Sequence, residues 1–370
     1  MLALNPDAYR LLLRPLLFRL PPETAQRTAE LALGRERVWR WLAPVLRVSD
    51  PRLPVDLCGL KLDNPVGLAA GYDKDCIFLP SMAALGFGYV TGGTVTESPR
   101  PGNPRPRVIR YVKERSLINA LGFPSHGLEV VARYLERSRY RGVETPTIIS
   151  VSGVTPGEIL RCHERLEPLC DGIEVNISSP NTAGLRVFQE ADGLDDLLGQ
   201  LEGQRNKPLF VKLPPYEPDD SRAQAAPDRE ADEPQSPAVL TAEQVLALAR
   251  VCVRRGVDAL TVANSRPTRD PRLSTGVGGL SGKMVFPDTL RMVAEVRSEV
   301  GAAIAINACG GIFSGEDAWR ALQAGATTVQ LLTGLIYRGP GIVKRINHEL
   351  LASMAREQMI PSPKSGRGLG

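Results

Sequence analysis

TAEQVLALARVCVRRGVDALTVAN, residues 241–264, contains one complete helix pattern and the strand pattern that follows it. Thr241 and Gln244 stand in the order of a capping box, so a helix is predicted to begin there and to stop at Gly256. The run DALTVAN (258–264) is almost continuously apolar, which is typical of strands buried on both faces of a parallel sheet. A helix followed by a buried strand is therefore the building unit that this stretch predicts.

The same unit recurs along the chain from Pro65 onward. Eight runs of β-forming residues alternate with helical patterns: PVGLAAG (65–71), YVTGGTV (89–95), TIISVSG (147–153), GIEVNIS (172–178), PLFVKLP (208–214), DALTVAN (258–264), AAIAINACGG (302–311) and ATTVQLLTG (326–334). Eight alternations over about 250 residues predict an α/β fold, a closed (β/α)8 TIM barrel, with a doubly wound open sheet as the alternative. In such barrels the catalytic groups lie where the strands end, at the C-terminal face.

Composition narrows the classes of function. The chain has 370 residues, 43% of them apolar, enough for one large domain with a small appendage. A net charge of +4 and 5% aromatic residues argue against a nucleic-acid groove. The six cysteines show no CxxC pair, which indicates reduced thiols in a cytosolic compartment. We predict no metal: Cys162, His163 and Cys170 could form a zinc cluster, but a helix with two half-buried thiols is the better interpretation.

The first 48 residues hold eight arginines against four acids. YRLLLRPLLFRL (9–20) is apolar, but Arg14, Pro15 and Arg19 interrupt it well short of a membrane span, and no signal-peptide cleavage site follows. Helices with leucine and tryptophan on one side and arginine on the other are typical of a membrane interface. A helical cap on the barrel bottom and a dimer contact are the alternatives.

We therefore divide the chain into three parts: an amphipathic helical segment (1–48), a barrel domain (49–356) and a flexible tail (357–370). Residues 217–238, between the fifth and sixth strand runs, are rich in acids and prolines with little to bury, and we predict a disordered insertion there.

The last two strand runs both end in glycine: the seventh in Gly310-Gly311 and the eighth in Thr333-Gly334. Loops after strands seven and eight of such barrels often hold a phosphate, because glycine lets backbone N–H groups approach its oxygens. SGED (314–317) then predicts a helix start, whose acids would have to face away from that phosphate. The alternative is that tight turns merely require glycine.

Two lysines interrupt apolar patterns. Lys74 in AAGYDKD (69–75) follows the first strand run, and Lys212 lies within the fifth. A buried lysine is costly unless it meets an anion, and at a barrel mouth a bound ligand can supply that anion. For Lys74, an ion pair with Asp73 or Asp75 is the alternative.

EVNISSPNT (174–182) opens as a strand and then becomes small, polar and turn-forming. Asn176 and Asn181 in this stretch, Asn264 at the end of a later strand and Asn119 in SLINALGFPSHG (116–127) bring amides to predicted strand ends. Converging amides suit a planar ligand with alternating carbonyl and N–H groups. A single asparagine at a strand end is usually just a turn residue. Four of them at predicted strand ends on one face are less well explained in that way.

These motifs resemble those of the dihydroorotate dehydrogenases over residues 55–350, where the following stretches occur in the family's order: NPVGLAAGYDKD, GGTVTESPRPGNPRPRVIR, INALGFPSHG, VNISSPNTAGLR, VKLPP, ANSR, GGLSGK, CGGI and VQLLTGLIYRGP. The serine form NISSPNT and the N-terminal helices resemble class 2, the membrane-associated branch that reduces quinone. The resemblance implies oxidation of (S)-dihydroorotate to orotate in pyrimidine biosynthesis, with FMN as hydride acceptor and a membrane quinone as final acceptor.

By this resemblance the FMN phosphate would lie at Gly310, Gly311, Thr333 and Gly334, near Gly282. The rest of FMN would contact Ala70, Gly71, Thr94, Ser150, Asn176 and Leu332. Lys212 would stand beside the pyrimidine edge, where a cation stabilises the negative charge that builds during reduction.

Dihydroorotate would be held through its carboxylate by Lys74 and through its ring amides by Asn119, Asn176, Asn181, Asn264 and Ser265. Ser179 would remove a C5 proton, with Thr182 passing that proton on and Phe123 shielding the site from bulk water.

The chain departs from the family pattern at four of these motif positions. Ala120 replaces a usual arginine, Pro124 a common asparagine, Ser150 a flavin-contacting asparagine and Leu332 a frequent tyrosine. These departures concern the flavin contacts and the quinone pocket, and they leave the substrate amides and Ser179 untouched.

The resemblance favours membrane contact for residues 1–48, which would form a quinone tunnel with Arg110 near the quinone head. We expect a monomeric, peripheral protein on the cytoplasmic side of the membrane. Two functions compete with this one. The first is a related flavin barrel that uses a soluble acceptor, such as fumarate or NAD, or that reduces another pyrimidine. The second is a non-enzymatic phosphate-binding barrel that docks on membranes.

Overall fold

The structure is a computed structural model, and it describes residues 9–139, 144–178, 185–217 and 239–359. Three predicted site residues, Ser179, Asn181 and Thr182, lie outside the described residues, as do nearly all of the predicted insertion and most of the predicted tail.

Strands occupy fourteen segments of the described chain: β1 (Val55–Leu57), β2 (Leu60–Leu62), β3 (Val66–Leu68), β4 (Tyr89–Val95), β5 (Val108–Tyr111), β6 (Ser116–Asn119), β7 (Thr147–Val151), β8 (Gly172–Asn176), β9 (Leu209–Lys212), β10 (Ala259–Val262), β11 (Arg266–Arg269), β12 (Val277–Gly282), β13 (Ala305–Cys309) and β14 (Thr328–Leu331). Eight of them close into a parallel barrel in the order β10, β13, β14, β3, β4, β7, β8, β9. Each predicted strand run contains one barrel strand, so the closed barrel is confirmed over the open sheet.

Helices flank these strands: α1 (Arg14–Leu17), α2 (Pro22–Leu33), α3 (Glu36–Leu46), α4 (Leu79–Ala83), α5 (Leu128–Arg139), α6 (Pro156–Leu166), α7 (Ala191–Glu202), α8 (Ala242–Arg254), α9 (Phe286–Val300), α10 (Gly315–Gln323), α11 (Thr333–Arg338) and α12 (Ile342–Met359). A π-helical turn spans Tyr9–Leu13, and 3₁₀ turns span Glu167–Leu169, Leu185–Gln189 and Lys283–Val285. The capping box predicted at Thr241 and Gln244 is present at the start of α8. Helix α12 continues to Met359 and so takes in the first residues of the predicted tail.

A β-hairpin closes the N-terminal end of the barrel. Strands β1 and β2 pair antiparallel, and their buried Leu57 and Leu62 pack against Tyr89, Ile148 and Phe210, which lie near the starts of three barrel strands. This apolar plug leaves the C-terminal end of the barrel as the open mouth.

A second, four-stranded antiparallel sheet in the order β11, β12, β6, β5 was not predicted. Its strands come from loops that follow two barrel strands, and Asn119 of β6 pairs with Gly279 of β12. These short segments lack a clear alternation of apolar and polar residues, so their pairing depends on contacts between distant parts of the chain. The sheet forms one side of the barrel mouth.

The N-terminal helices lie at the mouth and not at the bottom. Tyr9 donates a hydrogen bond to the Ile336 carbonyl at 2.8 Å, and Ser81 donates one to the Leu33 carbonyl at 2.7 Å. A cap on the barrel bottom, one alternative from sequence, is therefore wrong, because the hairpin occupies that end. Among the described residues, no helix combines the length and apolar character needed to span a bilayer.

Candidate active site

A cavity of about 690 Å³ opens at the C-terminal ends of the barrel strands. Its walls come from barrel strand ends, from the small antiparallel sheet and from the N-terminal helices. Of the predicted site residues that the structure describes, it brings these to the cavity wall: Ala70, Gly71, Lys74, Thr94, Arg110, Asn119, Phe123, Asn176, Lys212, Asn264, Ser265, Gly282, Gly310, Gly311, Leu332, Thr333 and Gly334.

A chain of hydrogen bonds joins the polar side chains on one side of the cavity. The Asn176 amide nitrogen donates to Thr94 Oγ1 at 2.9 Å, and Thr94 and Ser150 share a hydroxyl–hydroxyl bond of 3.1 Å. Ser150 is fully buried and stands behind Thr94, so among the described predicted residues it is the one that does not line the cavity. It reaches the site only through Thr94.

Ser178 is the site residue that sequence reasoning missed. Its hydroxyl donates to Asn176 Oδ1 at 2.6 Å and accepts from Asn264 Nδ2 at 2.6 Å, so one serine joins the amides of two strand ends. Ser178 is two residues beyond Asn176 and therefore follows the same two-residue strand period, a signal that was available in the sequence. It orients both amides that the substrate assignment depends on.

Lys212 is the last residue of β9 and is buried, with 4% of its surface exposed. Its hydrogen-bonding partner among the described residues is the Cys309 sulfur at 4.0 Å, a weak contact for an ammonium. Among the described residues no carboxylate lies within ion-pair distance of its ammonium, so a bound anionic or electron-rich group in the cavity can still contact it directly.

Lys74 meets neither of the carboxylates considered as its alternative partners. The Asp73 carboxylate accepts hydrogen bonds from the backbone N–H groups of Ile77 and Phe78. Asp75 pairs with His126 Nδ1 at 2.8 Å. The Lys74 ammonium donates to the Gly71 carbonyl at 2.7 Å. Burial raises the pKa of the Asp73 carboxyl to about 7 and lowers the pKa of the Lys74 ammonium. The geometry therefore favours the ligand interpretation of Lys74 over the ion pair.

Asn119 and Ser265 extend the polar wall onto the small sheet. The Asn119 amide donates to the Gly279 carbonyl at 3.4 Å, a long bond that leaves it free to turn toward a ligand. Ser265 directly follows Asn264, and its hydroxyl lies 2.1 Å from where a Cβ of Gly279 would stand. A side chain at position 279 would therefore displace Ser265 from its place on this side of the mouth.

The glycine-rich turns after β13 and β14 lie on the cavity wall beside each other. Gly310 and Gly311 adopt φ values of 141° and 73°, and a Cβ at Gly311 would stand 2.5 Å from the Cβ of Phe286. Thr333 bonds to Ser281 at 3.0 Å. Both acids of the predicted helix start pair with other side chains, Asp317 with Lys283 and Glu316 with Arg356, so neither of these two carboxylates competes with a phosphate here.

The other half of the cavity is apolar and comes mainly from the N-terminal segment. Its wall includes Leu13, Leu17, Ala25, Ala29 and Ala32. Arg110 of β5 holds this wall in place: its guanidinium lies 4.6 Å from the Phe18 ring centroid and donates to the carbonyls of Phe18 and Leu20 at 3.3 and 2.9 Å.

Phe123 and three of the four departures, Ala120, Pro124 and Leu332, belong to the mouth and to the small sheet beside it. Phe123 and Pro124 line the cavity, and Phe123 has a φ of 53°, a strained value for a bulky residue. Ala120 is buried under the small sheet. Leu332 packs against Gly71: a Cβ added at Gly71 would lie 3.5 Å from Leu332 Cδ1.

The described cysteines are all unpaired. Cys162 and Cys170 belong to the hydrophobic core, and His163 faces Glu167 at 3.6 Å. No cluster of three or more metal-binding side chains occurs within the described ranges.

Comparison with known proteins agrees with this geometry. The family model described as dihydroorotate dehydrogenase matches residues 52–354. A protein of Methylococcus capsulatus named dihydroorotate dehydrogenase (quinone) is 38% identical over 93% of this chain and 99% of its own length. The protein of the same name from Thermus thermophilus is also 38% identical, over 92% of this chain and 96% of its own.

Solved structures give the same answer. A crystal structure of the Eimeria tenella enzyme DHODH in complex with ferulenol superimposes with a TM-score of 0.72 at 31% identity, covering 89% of this chain and 92% of that one. The ligand-free form from the same organism gives 0.72 at 30% identity, over 87% of this chain and 94% of the other. With a closed barrel, a polar mouth and these matches over nearly its full length, this chain belongs to the dihydroorotate dehydrogenase family.

Proposed function

We propose that this chain oxidises (S)-dihydroorotate to orotate with FMN as its cofactor and passes the electrons to a membrane quinone, in the synthesis of pyrimidines. The observation that carries the proposal is a single cavity with two unlike halves, one polar and built from strand ends, the other apolar and built from helices. The family membership and the names of the relatives support the same reaction.

The polar half suits a small heterocycle that carries a carboxylate. The Lys74 ammonium would hold the carboxylate, and its pKa, lowered by burial, would be raised again by a bound anion. Asn119, Asn176 and Asn264, with Ser265, would hydrogen-bond the ring carbonyl and N–H groups. Asn181, outside the described residues, is assigned to the same ring on the resemblance alone.

The glycine turns and Lys212 fit FMN. Gly310 and Gly311 lack Cβ atoms and line the cavity, so their backbone can approach a phosphate, with Thr333, Gly334 and Gly282 close by. Ala70, Gly71, Thr94, Asn176 and Leu332 would contact the ring system, with Ser150 supporting Thr94 from behind. FMN, when bound, accepts a hydride and becomes electron-rich, and the buried Lys212 would stabilise that charge.

Ser179 is proposed as the base that takes the C5 proton. It lies outside the described residues, directly after Ser178, whose position at the mouth is described. A lone serine is a weak base, so Thr182 would relay the proton and Phe123 would keep bulk water out.

The apolar half suits the quinone ring. The proposed entry leads between Leu13, Leu17 and Ala29 toward Arg110, which also anchors this wall through Phe18. Leu11, Leu12 and Leu16 are more than half exposed beside it, which supports peripheral attachment of residues 1–48 to a bilayer. We propose the cytoplasmic side of the membrane and a monomer.

Anaerobic stopped-flow spectroscopy tests the proposal. FMN-loaded protein mixed with dihydroorotate should lose its flavin absorbance, and a short-chain quinone should restore it far faster than fumarate or NAD. Fumarate or NAD restoring the absorbance equally well would contradict the quinone assignment. A protein that binds no FMN at all would overturn the whole proposal.

A further inference from the structure

A layer of buried polar side chains lies inside the barrel, directly beneath the mouth. Glu174 of β8, Asn307 of β13 and Gln330 of β14 point into it, and each is at most 1% exposed. Each has one side-chain polar atom without a hydrogen-bond partner among the described residues, namely Glu174 Oε1, Asn307 Nδ2 and Gln330 Oε1. None of these residues has a role in the proposed reaction.

Glu174 is the member of this layer that carries a charge when ionised. Its other oxygen, Oε2, accepts a hydrogen bond from Thr261 Oγ1 at 2.7 Å. One neutral hydroxyl is poor compensation for a buried carboxylate, which normally requires a cation nearby.

Among the described cations, Lys212 is the one that strand register places next to this layer. Lys212 pairs in register with Asn176 on one neighbouring strand and with Thr261, the partner of Glu174, on the other. Both charges reach the same thiol: burial raises the pKa of Cys309, Lys212 acts to lower it and Glu174 acts to raise it. Glu174 also acts on the Tyr89 hydroxyl, and of the described neighbours Lys212, Cys309 and Tyr89 only Lys212 is a cation.

We propose that Glu174 is a positioning residue whose ionised carboxylate is the counter-charge of Lys212, so that it limits how strongly Lys212 favours a reduced flavin above it. The inference rests on the proposed function, because it concerns the same lysine and the same cofactor. Glu174 touches neither substrate nor cofactor and acts through Lys212.

The reduction potential of bound FMN tests this role directly. Glu174→Gln keeps the shape and an acceptor for Thr261 but removes the charge, so reduction should become easier. We expect the equilibrium constant for two-electron reduction to rise at least tenfold, a shift of about 30 mV to higher potential. The potential would be measured by dye-coupled titration, which needs neither dihydroorotate nor quinone.

Two further variants separate charge from structure. Glu167→Gln removes another largely buried carboxylate, one that accepts hydrogen bonds from Asn206 and Lys207 away from the cavity, and should leave the potential unchanged. Glu174→Val also removes the charge and serves if the glutamine variant does not fold, since apolar replacement of a buried charge is often well tolerated.

The measured potential tests the counter-charge role, and FMN binding tests the proposed function. A potential that stays at the wild-type value or falls in both Glu174 variants would overturn the counter-charge role and leave the proposed function standing. A wild-type protein that takes up no FMN would instead overturn the proposed function.

Discussion

The two halves of the mouth cavity differ in how they are built. The polar half consists of residues at the ends of parallel strands, whose positions follow from barrel register, with Asn176 beside Lys212 as one example. The apolar half consists of helices from the start of the chain, joined to the barrel by a few contacts such as those of Tyr9, Arg14 and Arg110. A rigid polar site and an added apolar wall can therefore serve two unlike reactants in one space.

The difference also predicts separable effects. Damage to the polar half should slow reduction of the flavin by dihydroorotate, and damage to the apolar half should slow reoxidation by quinone. Variants that change both steps equally would break this division.

Ser179→Ala should have the largest effect and belongs to the polar half. Flavin should remain bound, but its reduction by dihydroorotate should slow roughly a hundredfold or more, the usual loss for a general base. Stopped-flow absorbance of the flavin measures it. Reoxidation by quinone is the internal control, and unchanged reduction kinetics would reject Ser179 as the base.

Ala29→Asp should act on the apolar half. A carboxylate in this wall must be desolvated when a quinone binds, so the KM for a short-chain quinone should rise more than tenfold while flavin reduction stays at the wild-type rate. Leu31→Asp on the same helix is the matched control, because Leu31 is 75% exposed and outside the cavity wall. Slower flavin reduction in Ala29→Asp would count against two separate halves.

Ser178→Ala should loosen the polar half without removing a catalytic group. Two hydrogen bonds of 2.6 Å are lost, so among the described residues the Asn264 amide nitrogen loses its partner and the Asn176 side chain keeps only its bonds to Thr94 and to the backbone N–H of residue 178. We expect the KM for dihydroorotate to rise about tenfold, because the free energy of that change is close to the net contribution of one or two buried hydrogen bonds. Ser353→Ala, a buried serine on α12, should leave that KM unchanged. An unaffected KM in Ser178→Ala would mean that the amides are positioned by other contacts.

Glu23→Gln should give the smallest effect. It tests the ion pairs that attach the N-terminal helices to the barrel domain. Glu23 of α2 pairs with Arg105 and Arg107 at 2.9 Å each, on the loop that leads into β5. Losing these partly exposed pairs should cost about 1 kcal/mol in free energy of unfolding, measured by urea titration. Asp56→Asn, which breaks an exposed pair with Lys61 on the bottom hairpin, should cost less. Equal losses of unfolding free energy in the two variants would show that the Glu23 ion pairs stabilise the protein no more than an ordinary surface pair.

Much of the barrel was predictable because its signals are local. Most barrel strands are short apolar runs that lead into a glycine, asparagine or serine, and the cap at Thr241 is encoded within four residues. Residues at strand ends, such as Asn176, Lys212 and Asn264, could be placed at one face because parallel strands of a barrel all end there.

The small antiparallel sheet, and with it the exact surroundings of Asn119, could not be predicted in this way. Its strands β6 and β12 are more than 150 residues apart in sequence, and neither has a strong pattern. Ser178 and Glu174 could have been found by extending the two-residue period from Asn176 in both directions, since all three face the barrel interior or its mouth.

By itself, the sequence determined which segments become strands and helices and which polar residues reach strand ends, because periodicity and caps act over a few residues. The tertiary structure alone decided that the N-terminal helices cover the mouth and not the bottom, that Asp73 and Asp75 leave Lys74 to the cavity, and that Glu174 bonds to Thr261, the residue in register with Lys212. Those outcomes depend on contacts between residues far apart in the chain, where burial and the positions of partner charges, not local pattern, set the energy.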